Sequence, residues 1–127
     1  MKRALRDRLL AELPKFPKAQ GTMRSVKFDG GCFYCVQGVV LELSGLGYWH
    51  PVNKSAYYFN EPIPTKDDGV IKSVAGYICE TEICDRLGLT PAEALLLRDA
   101  NDLKHTDDGQ FEWGPVIETI NSFQVTD

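Results

Sequence analysis

Two cysteines three apart, in Gly30-Gly31-Cys32-Phe33-Tyr34-Cys35-Val36-Gln37-Gly38, are the residues of this chain best placed to do chemistry. A thiol pair at a helix N-terminus suits disulfide exchange, because the free N–H groups there stabilise a thiolate and draw its pKa from about 8.5 toward neutrality. With Cys79 and Cys84 the chain has four cysteines, the number that encloses a tetrahedral zinc ion. The first pair has knuckle spacing. The second, Cys79-Glu80-Thr81-Glu82-Ile83-Cys84, has four intervening residues and no glycine turn. A third chemistry is nucleophilic, with Cys35 or Cys32 attacking, His50 or His105 as base and Asn101 or Asp102 orienting it. The fourth role is packing, since cysteine behaves as a small hydrophobe. Cys35 precedes Val39 by one turn and Leu43 by two, which puts it on their helical face. The pattern favours packing and leaves the other three open.

A second constellation is polar. Gln20, Arg24, Asn101 and Asp102 sit at the ends of expected elements, where Asn and Asp commonly cap helices or close turns. Converging with Trp49, they would make a pocket in which arginine forks onto a phosphate or carboxylate and the indole offers a stacking face. Such a pocket suits a nucleotide-like ligand. The candidate binding residues are therefore Gln20, Arg24, Cys35, Trp49, Asn101 and Asp102; no cofactor is expected. Tyr48, Trp49, Tyr57, Tyr58 and Phe59 would serve equally as cross-strand pairs.

These residues need elements to hold them. Leu5, Leu9, Leu10 and Leu13 recur at helical spacing, so residues 2–13 form a helix stopped by Pro14. Residues 14–21 are a loop, and 22–28 a strand ending at the Asp29-Gly30-Gly31 turn. After Cys32, a helix through Val36, Val39, Val40 and Leu43 ends near Ser44-Gly45. Residues 48–52 and 56–59 flank Asn53-Lys54 as a hairpin in which Asn supplies the unusual backbone angle. Pro51 puts the first of these strands on an edge. Residues 61–69 are a loop, and 70–79 fit helix or strand equally.

The last third carries the plainest signals. Residues 81–87 form a short helix closed by Gly88. Thr90-Pro91-Ala92-Glu93 combines an N-cap, a first-turn proline and a capping glutamate. The helix that follows has Leu95, Leu96 and Ala100 as its apolar face and ends around Asn101-Asp102. A polar loop, residues 104–110, leads to a final helix with Val116, Ile117 and Ile120. The expected fold is a small single α+β domain over 1–127, four or five short helices with a small antiparallel sheet or hairpin.

A chain of 127 residues with 43% hydrophobic content is ordinary for one globular domain. No apolar run approaches the roughly 20 residues of a membrane span, and the charged amino terminus, MKRALRDRLLAEL, is not a signal peptide. A cytoplasmic, reducing setting is expected, in which a disulfide framework is disfavoured. The net charge of −4 divides into +6 over residues 1–27 and −10 over the rest. The basic stretch can meet an acidic partner or dock on the chain's own acidic body; the acidic bulk argues against a dedicated duplex-DNA binder.

Two resemblances follow from these residues. CFYCVQGVVLELSGLGY resembles the active-site helix of glutaredoxins, which implies thiol exchange. It departs from them in having Phe33 in place of a proline, no following βαβ pattern and no Thr-Val-Pro segment. Over nearly its whole length the chain resembles a family of small phage- and prophage-encoded bacterial proteins of unassigned function. The shared pieces are Gln20-Gly21, Arg24, Cys35-Val36-Gln37-Gly38-Val39-Val40-Leu41-Glu42-Leu43, Leu87-Gly88-Leu89, Asn101-Asp102, and Phe111 with the helix to Ile120. That family often has cysteines where Val36 and Leu41 stand here, and leucine at Gln37, so Cys35 is the one shared cysteine. The resemblance implies a phage origin and an accessory protein that binds a host protein or a small nucleotide-like molecule, interfering with host defence or physiology. Alternatives of another class are a cysteine-dependent enzyme and a zinc-stabilised interaction module.

Overall fold

A computed structural model describes residues 1–19, 23–74, 78–102 and 113–127. Helix α1, Arg3–Glu12, runs into a short 3-10 turn, Leu13–Lys15, so Pro14 ends the α-helix by starting a tighter one. Strands β1 (Arg24–Val26) and β2 (Cys32–Tyr34) form an antiparallel hairpin across the glycine turn, where Gly30 has φ +89°. Helix α2, Val36–Ser44, follows at once and ends at Gly45 with φ +68°. A second antiparallel sheet has the order β3-β4-β5, from Gly47–Trp49, Tyr57–Pro64 and Val70–Val74. Helices α3 (Thr81–Leu87), α4 (Pro91–Asn101) and α5 (Gly114–Ser122) complete a small α+β fold.

Helix α2 is the centre of the core. Val36, Val39 and Leu41 are fully buried and Val40 nearly so, as expected of a helix apolar on all sides. It packs against α3, α4, β2 and β3. Gly38 makes this possible, because a Cβ there would strike the Met23 carbonyl just before β1. Around it, one cluster runs from Met1 and Leu9 to Val116 and Ile120. No helix among the described residues is long and apolar enough to cross a membrane.

Several sequence expectations are corrected. Cys32 begins no helix; it lies in β2, and the helix starts only after Cys35. Residues 61–64, expected as loop, extend β4, and the ambiguous 70–74 pair with it as β5. Pairing across the sheet selects the extended state that local propensity left undecided. The hairpin after β3 is longer than expected, with its ladder ending at Trp49↔Tyr57. Asn53 is not its left-handed residue; among the described residues the non-glycine residue with positive φ is Asp68, at +61°, in the β4–β5 turn. β3 is an edge strand as Pro51 implied, although Pro51 lies beyond its end.

On α4 the buried stripe is Ala94, Leu97, Ala100 and Asn101, while Leu96 is 53% exposed. Of the expected apolar face, Ala100 is buried, Leu95 is half-buried and Leu96 is exposed, so the stripe is turned away from the leucine pair. The small Ala94 side chain lets α2 approach, and Gln37 Nε2 donates to the Ala94 carbonyl at 3.2 Å. The start of α4 is as expected: Thr90 Oγ1 accepts from Glu93 N–H at 3.1 Å, and Glu93 Oε1 accepts from Thr90 N–H at 2.8 Å.

Candidate functional site

The hairpin β1–β2 and the start of α2 carry most of the candidate residues. Alternation in β2 puts Cys32 and Tyr34 on one face, and Arg24, opposite Tyr34 in the ladder, reaches both. Its Nη2 donates to Cys32 Sγ at 3.3 Å, and its guanidinium lies 6.0 Å from the Tyr34 ring centre and 5.2 Å from that of Trp49. Arg24 and Trp49 therefore meet as expected, but in contact with each other. Tyr34 and Tyr57 pack edgewise on the indole at 6.2 and 5.2 Å, and the indole N–H donates to Glu42 Oε2 at 2.6 Å. Burial pushes the Tyr34 phenol pKa up and the Glu42 charge adds to this, while Arg24 opposes both.

Cys35, Asn101 and Asp102 form a second group at the start of α2. Cys35 is the N-cap of α2. Asn101, 1% exposed, accepts the Val36 N–H on Oδ1 at 2.9 Å and donates from Nδ2 to the Ala19 carbonyl at 3.1 Å. Both of its ends are thus spent on the backbone. Asp102 is the exposed C-cap of α4, near enough for its charge to disfavour a Cys35 thiolate. Gln20 lies outside the described residues, as does His105.

This geometry bears on the thiol chemistries. Burial pushes the Cys35 thiol pKa up, and the N–H groups of Gly38 and Gln37 offset only part of that. The helix end that would make a reactive thiolate is present, but desolvation outweighs it. Cys32 sits in the strand four residues before the first residue of the helix, so the pair lacks the register of a redox helix. The four cysteines do not gather: no three metal-ligating residues cluster among the described ones. Cys84 is buried in the core instead, its S–H facing the Ile78 carbonyl at 4.0 Å. His50 Nδ1 accepts the N–H groups of Val52 and Asn53 at 3.1 and 2.9 Å, which occupies it in shaping a turn.

Each of the eight basic residues in 1–27 has an intramolecular contact. Arg3 pairs with Asp127, Arg6 with Asp7 and Lys15 with Glu12. Lys2 and Arg8 donate to the carbonyls of Asp127 and Leu43. Lys18, Arg24 and Lys27 stand over Trp113, Trp49 and Phe33. The basic stretch is folded onto the protein's own surface.

Two features escaped the sequence reading. Gln37 is a buried brace, accepting the Ile78 N–H on Oε1 at 3.3 Å while it donates to Ala94. Its signal was a lone amide inside an otherwise apolar helix. Phe28, beside the glycine turn, is fully exposed, and Val52 in the next hairpin is 84% exposed. Nothing in their local sequence distinguishes them from core residues. The β3–β4 turn is tied to the start of β1, because Ser55 Oγ donates to the Arg24 carbonyl at 2.7 Å and Arg24 Nη1 to the Lys54 carbonyl at 3.5 Å.

Comparison of the chain with protein-family models, curated proteins and solved structures finds no match.

Proposed function

We propose that the protein is a phage-type accessory protein that acts by binding a host protein, with the two braced hairpin tips as its contact surface. The observation that carries this reading is the exposure of Phe28 in the β1–β2 turn and of Val52 in the β3–β4 turn, the latter tied to the start of β1 through Arg24 and Ser55. Apolar side chains with no part in the core are costly to leave in water, and grouped exposed ones mark interaction surfaces. Turns that are already braced lose little entropy on binding. Lys27, packed over Phe33 at 4.3 Å, adds a cation beside the apolar tip.

The filled surroundings of Trp49 favour a protein over a nucleotide-like ligand, since Arg24 occupies the ring face on which a base would stack. A cysteine-dependent enzyme is less well supported, because burial holds the Cys35 thiol protonated. The phage setting rests on the resemblance of the sequence to that family.

The test places a photo-reactive amino acid at position 28 and, as a control, at Glu118 on the exposed side of α5. On irradiation in bacterial cells, position 28 should yield a discrete protein adduct that Val52→Asp removes. Equal adducts from both positions, or none from position 28, reject the reading.

A further inference from the structure

The β3–β4 ladder has a second end. There the Asn60 N–H donates to the Leu46 carbonyl at 3.0 Å, whereas the His50-to-Ala56 bond of the same length class, 2.8 Å, closes the end with the hairpin tip. Beside Leu46 lies a shallow hollow of about 240 Å³ floored by Leu46, Phe59 and Ile63 and rimmed by Glu61. A second hollow, of about 210 Å³, lies between α1, α2 and α3 over Leu5, Val40, Leu43 and Leu87. Arg86 lines both, so the two hollows adjoin at this side chain as one groove.

The charges in this groove are arranged unequally. The helical hollow is lined by two arginines, Arg8 and Arg86, and by no carboxylate. Arg8 is fixed by its Nη1 bond to the Leu43 carbonyl at 2.6 Å, and a guanidinium has further N–H groups to offer a ligand. Arg86 has no ion pair or hydrogen bond among the described residues. Two guanidinium groups over an apolar floor suit a carboxylate, which they bind in forked geometry. The sheet hollow sets Glu61 beside Leu46, Phe59 and Ile63, so a second acidic group is disfavoured there.

We infer that this groove is a second binding site, for a protein segment that sets a carboxylate between Arg8 and Arg86 and a large apolar side chain against Leu46, Phe59 and Ile63. A bare anion would leave the sheet hollow empty, and an apolar segment without an acid would leave Arg86 unpaired on desolvation. The occupant is an acidic segment of a partner protein. The site lies at the far end of the β3–β4 ladder from Val52 and shares no residue with the surface proposed above.

The experiment is a fluorescence-anisotropy titration of the full chain with a labelled peptide carrying Glu two residues before Phe in Gly-Ser flanks. Control peptides carry Gln for the Glu or Ala for the Phe. Saturable binding is expected, weakened about tenfold by Arg86→Ala and by the Gln peptide, the loss typical of one charge-assisted contact, and weakened also by the Ala peptide, which loses apolar burial. Arg86 is exposed, so its variant should keep the wild-type melting temperature. Phe28→Ser should leave the titration unchanged, which separates this site from the hairpin tips. The inference is overturned if no saturable binding occurs, if Arg86→Ala binds as well as wild type, if the Gln peptide binds equally, or if millimolar inorganic phosphate displaces the peptide completely.

Discussion

Asn101, the last residue of α4, accepts the N–H of Val36, the first residue of α2, at 2.9 Å across 65 positions of sequence. The same amide donates to Ala19, so one buried side chain joins two helices and the chain before β1. Helix N-termini leave N–H groups without intrahelical partners, and here a distant amide supplies the cap, since the N-cap residue Cys35 makes no side-chain capping bond.

Asn101→Leu should be strongly destabilising. It orphans the Val36 N–H and the Ala19 carbonyl, at about 1–3 kcal/mol for each buried group left unpaired. Urea denaturation of the variant should show a midpoint well below wild type, with the slope unchanged. A loss under about 0.5 kcal/mol, the size of a surface substitution, contradicts the brace.

Gly38→Ala tests the close approach of α2 to Met23. In an unconstrained helix, alanine would gain about 0.5–1 kcal/mol over glycine. The added methyl meets the Met23 carbonyl, which is backbone and cannot swing aside, and overpacking of this kind costs about 1–3 kcal/mol or more. The steric term wins, so thermal unfolding should shift downward. An upward shift would show that β1 gives way.

Arg24→Lys keeps the charge and removes the planar group that spans Trp49, Tyr34 and Cys32. The expected loss is about 1 kcal/mol, from the ring contact and the forked donors together. Amide hydrogen exchange should accelerate in residues 24–34 and 50–57 and stay unchanged in α4. Uniform acceleration across the chain would show that Arg24 does not act locally on the hairpins.

Cys84 gives the protein a stability that depends on alkaline pH. Burial, with the neighbouring Cys79 as the next cause, pushes its thiol pKa up from 9.0 to about 11. The folded state therefore keeps this proton after the unfolded chain has released it. The contribution is complete below the ordinary thiol range and is lost as pH rises through about 11. Wild-type stability should fall more steeply than that of Cys84→Ala between about pH 9 and 11, measured by urea midpoints. Parallel curves reject the assignment.

How much of this was legible in sequence depended on how local the cause was. The capping box at Thr90 and Glu93, the glycine closures of α2 and α3, and the leucine spacing of α1 are written within a few residues, and each stands where expected. β2 was misread because Cys32-Phe33-Tyr34 is extended only by pairing with β1, and β4 because residues 61–64 need β5 beside them. The face of α4 was misjudged because burial is set by what α2 brings up to it. Leu95 and Leu96 are the more apolar residues, yet Ala94 permits the contact.

Of the candidate site, sequence pointed to Arg24, Trp49, Cys35, Asn101 and Asp102 but not to how they would group. Residue type and spacing determined by themselves an α+β chain with helices at known caps, an arginine and an indole each suited to a ligand, and thiols suited to several chemistries. Only the tertiary structure decided that Arg24 spends itself on Trp49, that Asn101 caps a helix, and that burial keeps the Cys35 thiol protonated. Caps and turns act over one helical turn of chain, whereas desolvation and long-range hydrogen bonding depend on residues far off in sequence that only folding brings into contact.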